Sequence, residues 1–314
     1  MCIGLVLEAF VFTIRSSALK VGGLFYILIR FHVMDCTCHG KIRVNLIKGW
    51  IRVNSGLKGK NALVIASSQG LGKAIAKQLV AQGVNVMITS RDQVKLQEVK
   101  VELEALTAAK VKYQVCDLKK KHEIEELVRN TIEELGSIEL LVNNAGGPPA
   151  GTFEDMTDED WQHAFELNLL SYIRVIREVL PKMKENGGGK IVNIASSSVK
   201  EPIPGLILSN TFRTGIIGLT KTLATEFATS NILINTVAPG RIATDRVAFL
   251  DEVTARKEGV TKEQIEEKMK NNIPLGRYGE PQEFANYVCF LLSDLNSYMT
   301  GQTFLVDGGM VKSI

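Results

Sequence analysis

From Leu57 to Val306 the chain repeats one pattern, a short apolar run followed by ten or more residues at helical spacing, and few folds accept that repetition. The apolar runs fall at residues 61–66, 84–90, 111–115, 140–143, 190–195, 232–237 and 303–306. Helical spacing fills about 70–82, 94–107, 122–135, 158–186, 209–229 and 281–293. Short β runs alternating with helices predict an α/β chain, a doubly wound parallel sheet covered on both faces. In such a sheet ligands bind outside the carboxyl ends of the strands. The loop-forming clusters here, among them 143–149, stand at those ends.

Charge divides the 314 residues unevenly. Residues 1–52 carry seven Lys/Arg against Glu8 and Asp35, a net of +5, while the remainder carries 30 against 32, a net of −2. The near-neutral body gives no reason to expect nucleic acid or an acidic membrane as partner. Residues 1–52 read as an extension outside the fold, either upstream sequence from a misassigned start or a membrane-associating segment. Their apolar runs, 3–14 and 21–29, are shorter than the ~18–20 residues a span requires. Cys36, Cys38 and His39 suggest a metal, but no second ligand pair follows, and no metal site is expected. In the body, residues 53–314, Cys116 and Cys289 stand in apolar runs and read as buried free thiols. That usage fits a reducing cytoplasm.

A turn containing glycine, Ala66-Ser67-Ser68-Gln69-Gly70-Leu71-Gly72, joins the first strand to the first helix. Such a turn lets the backbone approach a diphosphate at the helix N-terminus. Further motifs follow in order: Asn143-Asn144-Ala145-Gly146, Ser196, Pro239-Gly240 with Ile242 and Thr244, and an ending with Thr300-Gly301-Gln302 and Val306-Asp307-Gly308-Gly309. Together, over about residues 57–310, they closely resemble the short-chain dehydrogenase/reductase family and within it the 3-oxoacyl-acyl-carrier-protein reductase branch. The resemblance implies a single Rossmann-type three-layer domain, a nicotinamide cofactor and a small-molecule carbonyl or hydroxyl substrate. It also implies a homodimer or homotetramer paired through helices 158–186 and 209–229. Gly70 and Gly72 would line the diphosphate, Asp117 would meet the adenine, and Asn144, Ala145 and Gly146 would brace the ribose. Ser67, Ser68, Gln69, Leu71, Pro239, Gly240, Ile242, Thr244 and Arg213 complete the implied cofactor contacts.

Two departures from the family pattern bear on the cofactor. The usual Thr-Gly opening of the turn is Ile65-Ala66 here. Because Ala accepts the turn only at φ < 0, a slightly reshaped loop is expected. The second strand ends Thr89-Ser90-Arg91, without the acidic residue that binds a ribose 2′-hydroxyl. A hydroxyl followed by a guanidinium suits a 2′-phosphate, so NADP(H) is preferred, with NAD(H) possible if Arg91 is only a solvated loop residue.

In this family a Ser, a Tyr, a Lys and an Asn share the chemistry. Ser196 and Asn168 match two of them. At the Tyr-x-x-x-Lys positions stand Ser209 and Arg213, in a register fixed by Thr214-Gly215-Ile216-Ile217-Gly218. A phenol titrates near ~10, whereas an aliphatic hydroxyl is far less acidic, so Ser209 is a poor proton donor. Arg213 keeps a permanent charge that can bind ribose or stabilise an alkoxide, but it relays no proton. Tyr172, one helical turn beyond Asn168, and Lys200 are weaker candidates, read first as a packing residue and a surface lysine. Arg213, Arg241 and Arg246 either cluster around an anionic or phosphate-bearing substrate, or the last two cap the next helix or pair with Asp245 and Glu252. Residues 246–273 form a charged, helix-prone insertion at the place of the family's substrate lid. An active reductase or dehydrogenase with Ser196, Asn168, Ser209 and Arg213 at its site is the first reading, and a cofactor-binding or scaffolding protein without catalysis the second. An active group outside these four positions, running dehydration or isomerisation, is the third.

Overall fold

The computed structural model describes the backbone of residues 15–21 and 24–30, and residues 55–313. It divides into two units, residues 1–54 and 55–314. In the first, β1 (Arg15–Val21) pairs antiparallel with β2 (Leu24–Arg30), Arg15 opposite Arg30. The run Leu24-Phe25-Tyr26-Ile27-Leu28-Ile29 is rich in aromatic and β-branched residues, a composition that favours a strand. Cys36, Cys38 and His39 lie outside the described residues.

The second unit holds one parallel sheet in the order β5-β4-β3-β6-β7-β8-β9. Its strands are β3 (Asn61–Val64), β4 (Asn85–Ser90), β5 (Val111–Val115), β6 (Leu140–Asn143), β7 (Gly189–Ile194), β8 (Ile232–Pro239) and β9 (Thr303–Val306). On one face lie α1 (Gly70–Ala81), α2 (Gln93–Glu104) and α9 (Pro281–Leu292), and on the other α3 (Lys121–Leu135), α5 (Ser171–Glu185) and α6 (Ile207–Glu226). Strand residues alternate between two cores. Ala62, Val64, Val86, Ile88 and Val142 pack with Ile75, Leu79, Leu96 and Phe284, while Leu63, Met87 and Leu141 pack with Ile124, Leu127, Val175 and Val179. This is the doubly wound sheet the sequence predicts, with both faces buried and a side-chain period of two. Sequence order reverses between β3 and β6, opening a crevice at their carboxyl ends.

Two segments differ from expectation. Residues 158–186 are not one α-helix: α4 (Asp158–Phe165) passes through a π turn, Glu166–Leu170, before α5, and the Ser171 N–H reaches back to the Glu166 carbonyl. The insertion at 246–273 folds as two helices, α7 (Asp245–Glu258) and α8 (Lys262–Asn271), N-capped by Thr244 and Thr261. No helix among the described residues is long and apolar enough to cross a membrane.

Candidate active site

A cavity of about 930 Å³ runs along the carboxyl ends of the strands. Following the sheet order, its walls pass from Asp117 after β5 and Arg91 after β4 to the turn after β3. They continue through Asn144, Ala145 and Gly146 after β6, Ser196 after β7, and Pro239, Gly240, Ile242 and Thr244 at and after β8.

At the β3 end the turn is held by its neighbours. Ala66 sits at φ +50°, so the expected reshaping to negative φ does not occur. The left-handed region costs an L residue roughly 1–2 kcal/mol. Two contacts hold it there: Asn144 Nδ2 donates to the Ala66 carbonyl at 3.1 Å, and the next residue, Ser67, is stitched into the sheet. Ser67 is fully buried; its hydroxyl donates to Val64 O at 2.8 Å and accepts the Thr89 N–H at 3.0 Å. Ser67 therefore braces the turn from beneath and does not reach the cavity. Gly72 also stays out of it. A Cβ there would stand 2.2 Å from Ala66 O, so this glycine allows helix and strand to approach. Ser68, Gln69, Gly70 and Leu71 do line the cavity.

These residues fit a dinucleotide. The first turn of α1 has no side-chain cap and no acidic residue, so its N–H groups are free of a competing anion. Gly70, at φ +56°, has as its nearest cross-cavity neighbour Thr244 Cγ2, 3.9 Å from where its Cβ would be, and a Cβ on Gly146 would meet nothing. Arg91 lines the end of β4, joined by Lys95, which the sequence reading missed. Lys95 Nζ donates to Gln69 Oε1 at 2.9 Å, a contact across the turn that only the fold reveals. Asp117 lines the far wall, its carboxylate accepting the Lys119 N–H at 3.1 Å. Beside it, burial pushes the Cys116 thiol up to about 12, and Cys289 is raised by burial too, so both are inert buried thiols.

The β7 end is built from side chains. Ser196 lines the cavity, and its hydroxyl accepts the Ser198 N–H at 3.2 Å. Arg213 also lines it, yet is 5% exposed and anchored on three neutral oxygens. Nη1 donates to Ile194 O at 2.6 Å and Tyr172 Oη at 3.0 Å, and Nη2 to Ala145 O at 3.1 Å. Tyr172 is 1% exposed and donates to Ile194 O at 2.9 Å; burial raises its pKa. It is a packing residue behind Arg213 and not a replacement proton donor. Ser209, at 9% exposure in the first turn of α6, does not line the cavity. Asn168 sits in the π turn, fully buried, with Nδ2 donating to Gly146 O at 2.8 Å and Oδ1 without a protein partner. Lys200 is exposed.

The three arginines do not cluster as one group. Arg241 pairs with the buried Asp251 and lies near Tyr278 Oη, which itself donates to Asp251 Oδ2 at 2.9 Å. Its partner is thus neither Asp245 nor Glu252, and the pair anchors α7. Burial, then the hydrogen bond to Asp251, pushes Tyr278 up to about 12. Arg246 does line the cavity, and its Nη2 donates to Pro148 O at 2.6 Å.

A family model described as enoyl-(acyl carrier protein) reductase matches residues 65–311. Dehydrogenase/reductase SDR family member 4 of Homo sapiens is 37% identical over 256 residues, covering 81% of this chain and 88% of the relative. A 3-oxoacyl-(acyl-carrier-protein) reductase of Aquifex aeolicus is 37% identical, covering 81% and 98%. Among solved structures, L-sorbose reductase from Gluconobacter frateurii, complexed with NADPH and L-sorbose, superposes with a TM-score of 0.79 at 29% identity. That match covers 83% of this chain and 99% of the other. An actinorhodin polyketide ketoreductase variant with NADPH gives 0.77 at 33% identity, covering 80% and 97%.

Proposed function

We infer, because this chain belongs to the short-chain dehydrogenase/reductase family, that it is an NADP(H)-dependent oxidoreductase acting on a carbonyl or hydroxyl group of a small molecule. The observation that carries the reading is one continuous cavity joining the uncapped first turn of α1 to the hydroxyl of Ser196. NADPH in the L-sorbose reductase and ketoreductase structures supports the choice of cofactor, as does the pair Arg91 and Lys95 at the end of β4. A bound nicotinamide supplies or accepts the hydride. The backbone at Gly70 and the N-terminus of α1 would hold the diphosphate, and Arg91 the 2′-phosphate. Ser196 Oγ donates to the substrate oxygen, and the guanidinium of Arg213, on the same wall, steadies the charge that develops there.

The proton is handled differently from the family pattern. Ser209 neither lines the cavity nor carries an acidic proton, so solvent water in the open cleft protonates the product oxygen. A missing positioned acid slows turnover by about 10²–10⁴. The second reading, a cofactor-binding protein without catalysis, draws on the same two facts about Ser209 and Arg213. Hydride transfer from NADPH deuterated at the nicotinamide to a panel of carbonyl compounds separates them. Deuterium at the product carbinol carbon supports the enzyme, and tight binding with no transfer supports the alternative.

The chain is proposed to work as a homodimer or homotetramer, paired through α5 and α6. Between those helices lies an apolar groove with Ile173, Leu180, Pro181, Leu219 and Phe227 in its walls, which supports that face. Sedimentation of the full chain tests it. A cytoplasmic location rests on the free thiols of Cys116 and Cys289.

A further inference from the structure

We propose that Arg213 and Arg246 hold the carboxylate of a small oxo acid, or of the matching hydroxy acid, beside Ser196. The proposal rests on the oxidoreductase reading above and adds the substrate class. Both guanidiniums line the cavity that Ser196 lines. Among the described residues neither is within ion-pair distance of a carboxylate. Arg213 donates to Ile194 O, Ala145 O and Tyr172 Oη, and Arg246 to Pro148 O, all of them neutral oxygens. Asp245, next to Arg246 in sequence and on the same cavity wall, pairs with neither. Arg241 is the internal contrast, because the fold gives it the fully buried carboxylate of Asp251.

Arg213 is buried and Arg246 half-buried against the Phe249 ring, and a guanidinium drawn from water without a counter-charge is unfavourable. Burial and then the charge of Arg213 hold Arg246 below the usual arginine value, so the two share one electrostatic neighbourhood. A carboxylate held by both would supply the missing counter-charge. The donors for it exist. Of the five N–H groups of a guanidinium, Arg213 has engaged three and Arg246 one, leaving bidentate geometry at Arg246. The loop makes room as well: a Cβ at Gly147 would stand 2.7 Å from Arg246 Nε, so glycine there admits the guanidinium.

Position along the sheet separates this anion from the cofactor's phosphates. The carbonyls that hold the two arginines, Ala145, Pro148 and Ile194, follow β6 or close β7, on the Ser196 side, whereas the α1 N-terminus follows β3 and Arg91 follows β4. Because both arginines and Ser196 line one cavity, we take the class to be 2-oxo and 3-oxo acids, whose carbonyl and carboxylate sit close together. In the reductive direction hydride adds to the carbonyl carbon and the π pair moves to oxygen. A proton from water then completes the hydroxy acid as NADPH becomes NADP⁺.

Calorimetric titration of the NADPH-loaded protein tests this with 2-oxo and 3-oxo acids of four to eight carbons, each against its own methyl ester. At least one acid is expected to bind about tenfold or more tightly than its ester, the range of a charge-assisted pair. Arg246→Gln should abolish that preference and Arg246→Lys keep part of it, with NADPH affinity unchanged in both. Gly147→Ala, which displaces the guanidinium without removing it, should weaken the preference too. Acids and esters that bind alike overturn the proposal, as does a preference that survives in Arg246→Gln. Equal loss of NADPH and acid affinity in Arg246→Gln overturns it by assigning the guanidinium to the cofactor's phosphates. Failure of the wild type to bind NADPH strikes the oxidoreductase reading alone, and the acid–ester comparison is then read on the protein without cofactor.

Discussion

At the α1 end of the cavity the ligand-facing groups are largely backbone, presented by Gly70, by an uncapped helix terminus and by a turn stitched to β4 through Ser67. At the β7 end they are side chains, and the protein itself occupies much of their bonding capacity: Arg213 is tied to Ile194, Ala145 and Tyr172. Backbone geometry tolerates replacement of the side chain above it, which is how Ala66 can stand where the family has glycine. Side-chain chemistry has no such reserve. On the proposed reading, Ser209 and Arg213 take the positions of the family's phenol and ammonium, an exchange that leaves the architecture intact and removes the proton-transfer pair.

The largest effect should come from reversing that exchange. Ser209→Tyr combined with Arg213→Lys is expected to raise kcat/KM for a reducible carbonyl compound by about 10²–10⁴, read as loss of NADPH absorbance, with NADPH affinity little changed. No rise would mean that the β7 end is limited by something other than proton transfer. Next, Arg213→Met should destabilise the fold by about 1–3 kcal/mol in urea unfolding, because Ala145 O loses this donor and Ile194 O is left with the Tyr172 hydroxyl. A loss of a few tenths would show those bonds to be incidental. At the other end, Arg91→Ala should weaken NADPH about 10–100-fold while leaving NADH nearly unchanged, as expected for a charge-assisted phosphate contact. Equal effects on both cofactors would remove the 2′-phosphate role. Smallest, Ala66→Gly should stabilise by about 0.5–1 kcal/mol in thermal melts by relieving the φ of +50° without touching cofactor affinity.

Most of the sheet was legible because its strands are buried on both faces, so Asn61–Val64, Leu140–Asn143 and Ile232–Pro239 stand out as apolar runs of the right length. The cavity followed, since the motifs sit at strand ends in the order of the fold. What stayed hidden depends on contacts between distant segments. The φ of Ala66 is set by Asn144, 78 residues away, and no local signal announces it. The π turn at Glu166–Leu170 shifts the helix by one residue, and helical periodicity is too coarse to show that. Arg241 is flanked in sequence by candidates for pairing, yet it finds Asp251 in the second turn of α7, and Lys95 meets Gln69 only because β4 lies beside β3. The anchoring of Arg213 draws on Ala145, Tyr172 and Ile194, three segments that only the folded chain assembles.

The three-point anchoring of Arg213 also shapes the mutational routes open to this chain. A lysine at 213 offers a compact ammonium in place of the planar fork that meets these three oxygens, so Arg213→Lys alone is expected to loosen the fold before it gains any chemistry. Ser209→Tyr alone sets a phenol beside a cation already committed to Ile194, Ala145 and Tyr172. Each single reversal is therefore a step down, and only the joint change leads back to the ordinary pair. On this reading the two positions would act as a ratchet, and relatives that carry one substitution without the other should be rarer than relatives that carry both or neither.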